Sequence, residues 1–440
     1  MKLSRYNFLR KIDDVTIFFN SMTCALAVVD ENFLRAYHEI ENGSFDESQH
    51  DPKLIEDMKS SGCIVEDDFD EIQILKFNRN LAKFDMSSLA LTIAPTLACN
   101  FRCKYCFEQH KSGLMSDQIQ NDLIEFVENR LKSAKNFSVT WYGGEPLIAK
   151  KIVYDLSQKF LDLCERFNAK YDAFIITNAS LMKDEDIESF KRFKIRGAQI
   201  TIDGPPKIHD ARRISIDGSS TFDKLVNRAN DLLNANLEVI VRINIDKENL
   251  EHVDELLEIL RDRIERHEKL KIDFGQVSSF TEICKSIESD CYNNDQYAEI
   301  LLPLYAKVLS MGFSMNKMSV YPNPRANFCC TDYVNSFVVD ERGLLYRCWN
   351  HVGNEKFSCG SLSNLKDKMP TSNRNYLSWI NWNPIEHEKC SDCKFLPICM
   401  GGCPDAMRNS ADKNPICGTI KFNLERVIEF YYQQLKGEIA

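Results

Sequence analysis

The sequence lacks a long hydrophobic run, an excess of positive charge and any low-complexity segment. A membrane-spanning helix needs about 20 apolar residues, and polar residues interrupt the best candidate stretch, Val15–Val29. Asp13 and Asp14 follow the basic N-terminus where a secretory signal would have its apolar core, and no cleavage site of that kind follows. We therefore expect a cytoplasmic protein that does not act at a membrane.

Positive charge is too scarce for a general nucleic-acid binder. The 55 Lys and Arg residues are outnumbered by 65 Asp and Glu, which gives a net charge of −10, whereas nucleic-acid binding needs cations that neutralise phosphates. Hydrophobic residues make up 44% and charged residues 27% of the 440 residues, which is typical of globular proteins. At roughly 100–200 residues per domain, this length predicts about two to four folded domains.

Cysteine is abundant, with 17 residues. Thiols stay reduced in the cytoplasm, so a metal-binding or redox role is favoured over a disulfide scaffold. The cysteines are also clustered: three lie within Cys99–Cys106 and nine within Cys329–Cys417. Two metal-binding regions are therefore the first functional hypothesis.

Residues 1–85 predict a small α+β unit. Its expected elements are a hairpin of Thr16–Phe19 and Cys24–Val29, helices at Glu31–Glu41 and Pro52–Ser60, and a polar linker that begins with the acidic stretch Glu66–Glu71.

Residues 86–315 alternate apolar runs with amphipathic helical stretches. Six strands with helices between them imply a parallel sheet with crossover helices, and we expect a partial (β/α)6 TIM-like barrel. A flat doubly wound sheet is the alternative. The predicted strands are Leu89–Ala94, Ser138–Trp141, Ala173–Ile176, Gln199–Ile202, Val239–Ile243 and Leu270–Phe274.

Residues 316–440 are irregular and rich in cysteine. A hairpin is expected around Asp340–Gly343, between Asn335–Val339 and Leu344–Arg347, and a helix at Lys421–Lys436. The chain therefore predicts three domains, at 1–85, 86–315 and 316–440.

The first cysteine cluster has the spacing Cys99-x3-Cys103-x2-Cys106 and directly follows the first barrel strand. Loops after barrel strands carry the chemistry of such folds. A structural zinc site takes four ligands, and no fourth cysteine or histidine follows at zinc spacing. A [4Fe–4S] cluster with three protein ligands instead leaves one iron open for a small molecule.

This run resembles the signature of radical S-adenosylmethionine (SAM) enzymes. The resemblance implies a SAM-binding [4Fe–4S] cluster on these three cysteines, and a 5′-deoxyadenosyl radical that abstracts hydrogen. Gly143-Gly144-Glu145-Pro146 resembles the family motif that holds the SAM ammonium group, and the stretch from Asp203 to Arg213 resembles the one whose arginine pairs with the SAM carboxylate. Expected contacts to the adenine or ribose are Tyr105, Thr177, Asn178, Arg242 and Asn244.

The second cysteine cluster resembles the SPASM domain, whose pattern implies two auxiliary [4Fe–4S] clusters. Cys330-x12-Gly343-x4-Cys348 begins the pattern, and Cys329-x13 fits equally well. One expected ligand set, the outer set, is Cys390, Cys393, Cys399 and Cys417; the inner set is Cys348, Cys403 and one of Cys329 and Cys330. Cys359 is a candidate fourth inner ligand; without it, one iron stays open to a substrate thiolate. A zinc ribbon of Cys390, Cys393, Cys399 and Cys403 is the alternative.

The N-terminal run Tyr6–Asn20 resembles the winged-helix-like element with which peptide maturases bind a precursor's leader by strand addition. A structural or dimerisation cap is the alternative. The resemblance implies an oxidoreductase that cross-links a ribosomally made precursor peptide, most readily through a cysteine thioether. Its electron donor would be a flavodoxin or ferredoxin. No catalytic base is evident.

Two other functions stay open. An anaerobic sulfatase maturase would produce formylglycine, but that type usually has an aspartate where this chain has Trp349. A non-catalytic, zinc-stabilised binding module is the third hypothesis.

Overall fold

The N-terminal residues form an antiparallel three-stranded sheet that is covered by helices, as their apolar pattern predicts. The computed structural model describes residues 1–279, 282–315, 321–365, 368–409 and 416–436. Strands β2, β3 and β4 form a meander, and β1 pairs with β5. The bounds are β1 Lys2–Leu3, β2 Asn7–Ile12, β3 Val15–Asn20, β4 Leu26–Val29, α1 Glu31–Glu41, α2 Pro52–Ser60, β5 Ile64–Val65 and α3 Glu71–Lys83.

The predicted hairpin and both predicted helices of this unit are present. Strand β2 was not expected, because Arg10 and Lys11 interrupt its apolar alternation. It turns into β3 at Asp13, whose positive φ of 51° allows the tight connection.

The expected polar linker from Glu66 is wrong, because residues 71–83 form helix α3. Asp70 caps this helix: its carboxylate accepts the N–H groups of Ile72 and Gln73 at 3.0 and 3.2 Å. The buried side of the helix includes Arg79 and Lys83. A helix that buries charged side chains has no apolar stripe to reveal it in the sequence.

The middle of the chain contributes six parallel strands, the barrel strands, to one sheet. Their order across the sheet is β13-β12-β10-β9-β8-β6, which is the order of the chain without reversal. The bounds are β6 Ser88–Ile93, β7 Phe101–Cys103, α4 Asp117–Leu131, β8 Asn136–Trp141, α5 Lys150–Arg166, β9 Lys170–Thr177, α6 Asp184–Arg192, β10 Ile195–Thr201, α7 Pro206–Arg212, β11 Arg213–Ser215, α8 Phe222–Asn234, β12 Glu238–Ile245, α9 Val253–Arg263, β13 Lys271–Gln276 and α10 Asn294–Ser310.

All six predicted strands are confirmed. A doubly wound sheet reverses its strand order at a switch point, so the unbroken order of this sheet supports the barrel-type alternative. Right-handed crossovers then place the connecting helices on one face. The largest core of the described residues lies between them and the strands, and includes Phe126, Trp141 and Phe160.

The C-terminal region continues the same sheet. Strand β14 pairs in parallel with β6, the first barrel strand, and then forms the predicted hairpin with β15. The bounds are β14 Ser336–Val339, β15 Leu344–Tyr346, β16 Gly360–Ser361, α11 Leu362–Leu365, α12 Arg374–Ile380, α13 Glu388–Ser391, α14 Leu396–Cys399, α15 Pro404–Asn409 and α16 Ile420–Lys436. The expected domain boundary at residue 316 lies outside the described residues.

Among the helices of the described residues, none has the length and apolar composition that a bilayer crossing requires.

Candidate active site

The first three cysteines lie in the loop that follows β6, at the end of the strand where barrel folds place their chemistry. Cys103 ends the short strand β7, which pairs antiparallel with β11. In that pairing Cys103 is directly opposite Arg213. The structure thus brings together two predicted site residues that are far apart in sequence.

The loop after β8 carries two glycines that pack against the segment leading to Cys99. Gly143 has a φ of +112°, and a Cβ there would overlap the carbonyl oxygen of Thr96. A Cβ on Gly144 would overlap the carbonyl oxygen of Ala98. Because only glycine permits this approach, these residues fix the distance between the loop and the first cysteine.

Glu145 ties this loop to the end of β9. Its buried carboxylate accepts hydrogen bonds from the N–H of Leu147 at 2.9 Å, the hydroxyl of Thr177 at 2.7 Å and the N–H of Asn178 at 2.7 Å. Burial raises the pKa of Glu145, and these donors oppose that shift. Pro146 begins the short 3₁₀ turn Pro146–Ala149 that follows. Glu145 therefore joins the predicted motif to Thr177 and Asn178 at the end of β9.

Tyr105 lies at the centre of a partly buried polar group. Its hydroxyl donates to the Asp203 carboxylate and accepts from Arg213 Nη1 at 2.7 Å and Asn244 Nδ2 at 3.2 Å. Arg213 is buried, and its Nε has no hydrogen-bond partner among the described residues. A buried guanidinium with an unused donor suits the planar carboxylate of a ligand.

Arg242 lies on β12 and is held by other contacts. It forms an ion pair with Asp273 on the neighbouring strand β13, and its Nε donates to Asn244 Oδ1 at 3.3 Å. The guanidinium packs over Gly275, where a side chain would collide with it. Its expected contact with SAM stays a prediction.

The first three thiols are desolvated. Burial raises the pKa of Cys99 to about 12, and it also raises the pKa values of Cys103 and Cys106. Metal ligation requires the thiolate, so binding must release protons and offset this desolvation.

The four cysteines of the expected outer set are close together in the structure. Burial raises the pKa of Cys390 to about 11, and the charges of Cys399, Cys393 and Cys417 raise it further. Lys421 Nζ lies 3.4 Å from Cys417 Sγ, which places a cation beside this group.

The expected inner set includes Cys348, which follows strand β15. Burial raises the pKa of Cys348 well above its usual range, with further contributions from Asp405, Cys329 and Cys403. Asp405 in turn contacts His351 Nε2 at 3.1 Å. Cys359, the candidate fourth ligand, is fully buried in the main hydrophobic core, and its role stays a prediction.

Within the described residues, no three His, Cys, Asp or Glu side chains converge closely enough to hold one metal ion.

Two neighbouring residues, Glu108 and Tyr142, were not predicted from the sequence as part of the site. Burial raises the pKa of Glu108 to about 7, and Tyr142 lies near it. Among the described residues, the Tyr142 hydroxyl and Glu108 Oε2 are buried without a hydrogen-bond partner. The Tyr142 ring stacks on Trp349, with centroids 5.9 Å apart. Glu108, Tyr142 and Trp349 lie between the loop of Cys106 and the strand end of Cys348. Because they are far apart in the sequence, no motif indicated that they would be neighbours.

The model of the radical SAM superfamily matches residues 93–260. Residues 93–260 are therefore a radical SAM domain. The protein is therefore an enzyme, and its activity depends on a [4Fe–4S] cluster and SAM. The radical SAM domain begins at the last residue of β6 and includes Cys99, Cys103, Cys106, the Gly143–Pro146 motif and Arg213.

Two relatives extend beyond this radical SAM domain. A cysteine-type anaerobic sulfatase-maturating enzyme of Clostridium novyi is 23% identical over 78% of this chain and 96% of its own length. The radical SAM cyclopropyl synthase TigE of Paramaledivibacter caminithermalis is 21% identical over 97% of this chain and 95% of its own length.

Two solved structures share the fold. Native anSMEcpe with bound AdoMet and Cp18Cys peptide has a TM-score of 0.61 at 20% identity, and covers 78% of this chain and 99% of its own. SuiB of Streptococcus suis bound to precursor peptide SuiA has a TM-score of 0.54 at 16% identity, and covers 94% of this chain and 99% of its own.

The residues of this radical SAM domain fit its cofactors. The loop after β6 supplies three thiols, which leaves one iron of a [4Fe–4S] cluster for SAM. The unused Nε of Arg213 lies beside Tyr105, next to Cys103, and suits the SAM carboxylate. The outer and inner cysteine sets are the residues that would hold two auxiliary clusters of the SPASM type.

Proposed function

We propose that this enzyme is a maturase that cross-links a ribosomally made precursor peptide, most readily through a cysteine thioether. The observation that carries the proposal is an N-terminal α+β unit with an open strand edge, packed against the region that holds the auxiliary cysteines. Such an edge can bind an extended peptide by adding it as a further strand.

Strand β4 is that edge. Among the described residues it pairs with β3 only, and Ala27 and Val28 in its middle are exposed. Unpaired edges that remain accessible are pairing sites for another chain. An extended leader segment would make backbone hydrogen bonds there and place alternate side chains on each face.

The unit is attached to the C-terminal region. Ile17 and Phe19 of β3 pack in one apolar cluster with Leu424 and Ile428 of α16. A leader bound on β4 would therefore be anchored to the same region as the outer and inner cysteine sets, with the rest of the peptide free to reach the barrel.

With its cluster and SAM bound, the radical SAM domain supplies a 5′-deoxyadenosyl radical that abstracts a hydrogen atom from the substrate. Arg213 and the Gly143–Pro146 loop would orient SAM, and Glu145 and Asp203, which are both buried, would hold the loop and Tyr105 in place. Formation of a thioether removes two hydrogen atoms from the peptide. The reaction is thus an oxidation, and a flavodoxin-type or ferredoxin-type carrier is the expected electron-transfer partner.

The relatives support a peptide substrate. SuiB was solved with its precursor peptide, and both SuiB and TigE match more than nine-tenths of this chain. The sulfatase-maturating relative leaves about a fifth of this chain unmatched.

The second candidate is a sulfatase-type maturase that produces formylglycine. The higher TM-score of anSMEcpe favours it, but Trp349 occupies the position where that type usually has its aspartate. The third hypothesis, a zinc-stabilised module without catalysis, is wrong, because residues 93–260 are a radical SAM domain.

Co-expression with a short, cysteine-containing peptide encoded beside this protein tests the proposal. Mass spectrometry should show a peptide lighter by two hydrogen atoms for each cross-link, with one cysteine no longer alkylated by iodoacetamide. A cysteine converted to formylglycine would instead support the sulfatase-type function. An unmodified peptide, despite SAM cleavage, would contradict the proposal for that peptide class.

A further inference from the structure

A cavity of about 570 Å³ lies between α10, which follows the last barrel strand, and the C-terminal helix α16. This volume is within the range of ligand-binding pockets. Aliphatic side chains of α10, α14 and α16 form much of its wall: Leu301, Leu302, Ile398, Ile420 and Val427. The cavity can therefore hold an apolar group of the size of an amino-acid side chain.

On one side the cavity adjoins the end of the barrel where the candidate active site lies. Gln276, the last residue of β13, is part of its wall. The preceding residue, Gly275, is paired with Asn244 of β12, and Asn244 Nδ2 donates to the Tyr105 hydroxyl at 3.2 Å. A ligand in the cavity would thus be a neighbour of the residues around Tyr105.

On the other side the cavity adjoins the auxiliary cysteines. Cys399 of the outer set and Cys403 of the inner set are both part of its wall. Asn294 of α10, which also lines it, donates through Nδ2 to the carbonyl oxygen of Cys417 at 2.8 Å. The cavity therefore lies between the barrel and the region that holds both auxiliary sets.

Two polar groups of the wall have no hydrogen-bond partner. Tyr297 of α10 and Asn423 of α16 are only 4% and 6% exposed. The Tyr297 hydroxyl and Asn423 Oδ1 are buried, and neither has a partner among the described residues. A buried polar group without a hydrogen bond destabilises a protein, and a ligand that bonds to both atoms would remove this cost.

The charged groups of the wall are already in contact with other residues. Among the described residues two charged side chains line the cavity, Arg325 and Asp405. The Arg325 guanidinium carbon lies 5.5 Å from the centroid of the Phe328 ring, and Asp405 Oδ1 contacts His351 Nε2 at 3.1 Å. The two groups without partners are neutral, one hydroxyl that can donate and one amide oxygen that accepts. A backbone segment offers the complement, a C=O and an N–H.

We propose that this cavity binds a segment of the peptide substrate that carries an aliphatic side chain. The side chain packs against Leu301 and Val427. The Tyr297 hydroxyl donates to a backbone carbonyl oxygen of the segment, and Asn423 Oδ1 accepts one of its backbone N–H groups. This inference rests on the proposed function in assuming a peptide substrate.

The test uses the full chain, reconstituted with iron and sulfide and loaded with SAM, and the capped tripeptide acetyl-Gly-Leu-Gly-amide as the probe. A titration followed by saturation-transfer NMR measures its dissociation constant. We expect saturable binding, which Leu301→Trp should abolish because the larger side chain fills the cavity. Tyr297→Phe and Asn423→Leu should each weaken binding by roughly 2–10-fold, the effect of losing one neutral hydrogen bond.

Tyr171→Phe is the matched control. The Tyr171 hydroxyl is also buried without a partner among the described residues, but it lies at the N-terminal end of β9 and does not line the cavity. This variant should leave the affinity for the tripeptide unchanged. Tyr297→Phe should also keep the melting temperature of the enzyme without tripeptide, since it removes no internal hydrogen bond.

Four results would each overturn the proposal: no binding of the tripeptide, full binding by Leu301→Trp, weaker binding in at most one of Tyr297→Phe and Asn423→Leu, or a lower melting temperature of Tyr297→Phe. The last result would show that the hydroxyl has a partner within the protein. The tripeptide contains no cysteine and is not cross-linked. A precursor peptide that stays unmodified would therefore contradict the proposed function and leave these measurements unchanged.

Discussion

Arg79 and Asp332 form a buried ion pair, with Arg79 Nη2 3.2 Å from Asp332 Oδ1, between helix α3 and the turn that carries Cys329. Arg79 also donates to Asn327 and to the backbone oxygen of Trp382 at 2.9 Å. One arginine therefore joins the N-terminal unit, the inner cysteine turn and the segment before the outer cysteine set.

Replacing Arg79 with Met should destabilise the protein by about 3–5 kcal/mol, because it leaves the Asp332 charge buried without its partner. Urea unfolding of the reconstituted enzyme measures this change. The double variant Arg79→Met, Asp332→Asn should recover part of the loss, since no unpaired charge remains. Equal destabilisation in both variants would contradict this account of the pair.

Cys103→Ala should abolish formation of 5′-deoxyadenosine while the auxiliary clusters remain. We expect about eight of about twelve iron atoms per chain, measured together with nucleoside release under strong reductant. Cys63→Ala, a buried thiol of the N-terminal unit, is the control and should keep both iron and activity. Continued SAM cleavage by Cys103→Ala would refute the assignment of the first cluster.

Arg213→Lys should weaken SAM binding by roughly 10–100-fold, the cost of losing a charge-assisted hydrogen bond of about 1.5–3 kcal/mol. Arg242→Gln should change SAM affinity little, because Arg242 is already paired with Asp273. Equilibrium binding of SAM to the reconstituted enzyme distinguishes the two. A comparable loss in Arg242→Gln would instead establish the contact that the sequence suggested.

His209 should make the enzyme acid-sensitive. Burial, with a contribution from the Arg213 charge, lowers the pKa of His209 to about 3. The unfolded chain, with a histidine pKa of about 6.5, binds this proton more readily. Stability is therefore complete above about pH 6.5 and falls on acidification by about 1.4 kcal/mol per pH unit. His209→Gln should flatten this slope in unfolding measurements between pH 4 and pH 7; an unchanged slope would place the effect elsewhere.

Proline substitutions test the strand edge. In an antiparallel strand, neighbouring N–H groups point alternately to the partner and away from it. Of the variants Ala27→Pro and Val28→Pro, one should therefore remove a backbone N–H that points away from β3, and it should leave the hydrogen bonds between β4 and β3 intact. That variant should keep its melting temperature but bind the precursor peptide more weakly. Unchanged affinity in both variants would argue against leader binding on β4.

Prediction from the sequence was most successful where neighbouring residues determine the local structure. Apolar alternation predicted the six barrel strands, and helices α1 and α2 were predicted with the bounds that the structure has. It failed at α3, because Arg79 and Lys83 are buried by partners that lie about 250 or more residues later. No periodicity can reveal such partners.

In the candidate site, too, the features that depend on neighbouring residues were predictable, and those that depend on distant contacts were not. The cysteine spacings and the Gly143–Pro146 motif are local and were recognisable. The pairing of Cys103 with Arg213 and the position of Glu108 beside Tyr142 depend on how distant strands and turns meet. For the same reason, the fully buried position of Cys359 was not evident from the chain alone.

The pairing of β14 with β6 limits how a substrate can be accommodated. The loop of Cys99 follows the C-terminal end of β6, and the turn of Cys329 and Cys330 precedes the N-terminal end of β14, so adjacent hydrogen-bonded strands connect the two segments. A hinge motion cannot change the distance between the two segments without breaking backbone hydrogen bonds. If the enzyme cross-links a peptide as proposed, the peptide would have to fit this constant distance, and the ring size of the product would depend on it.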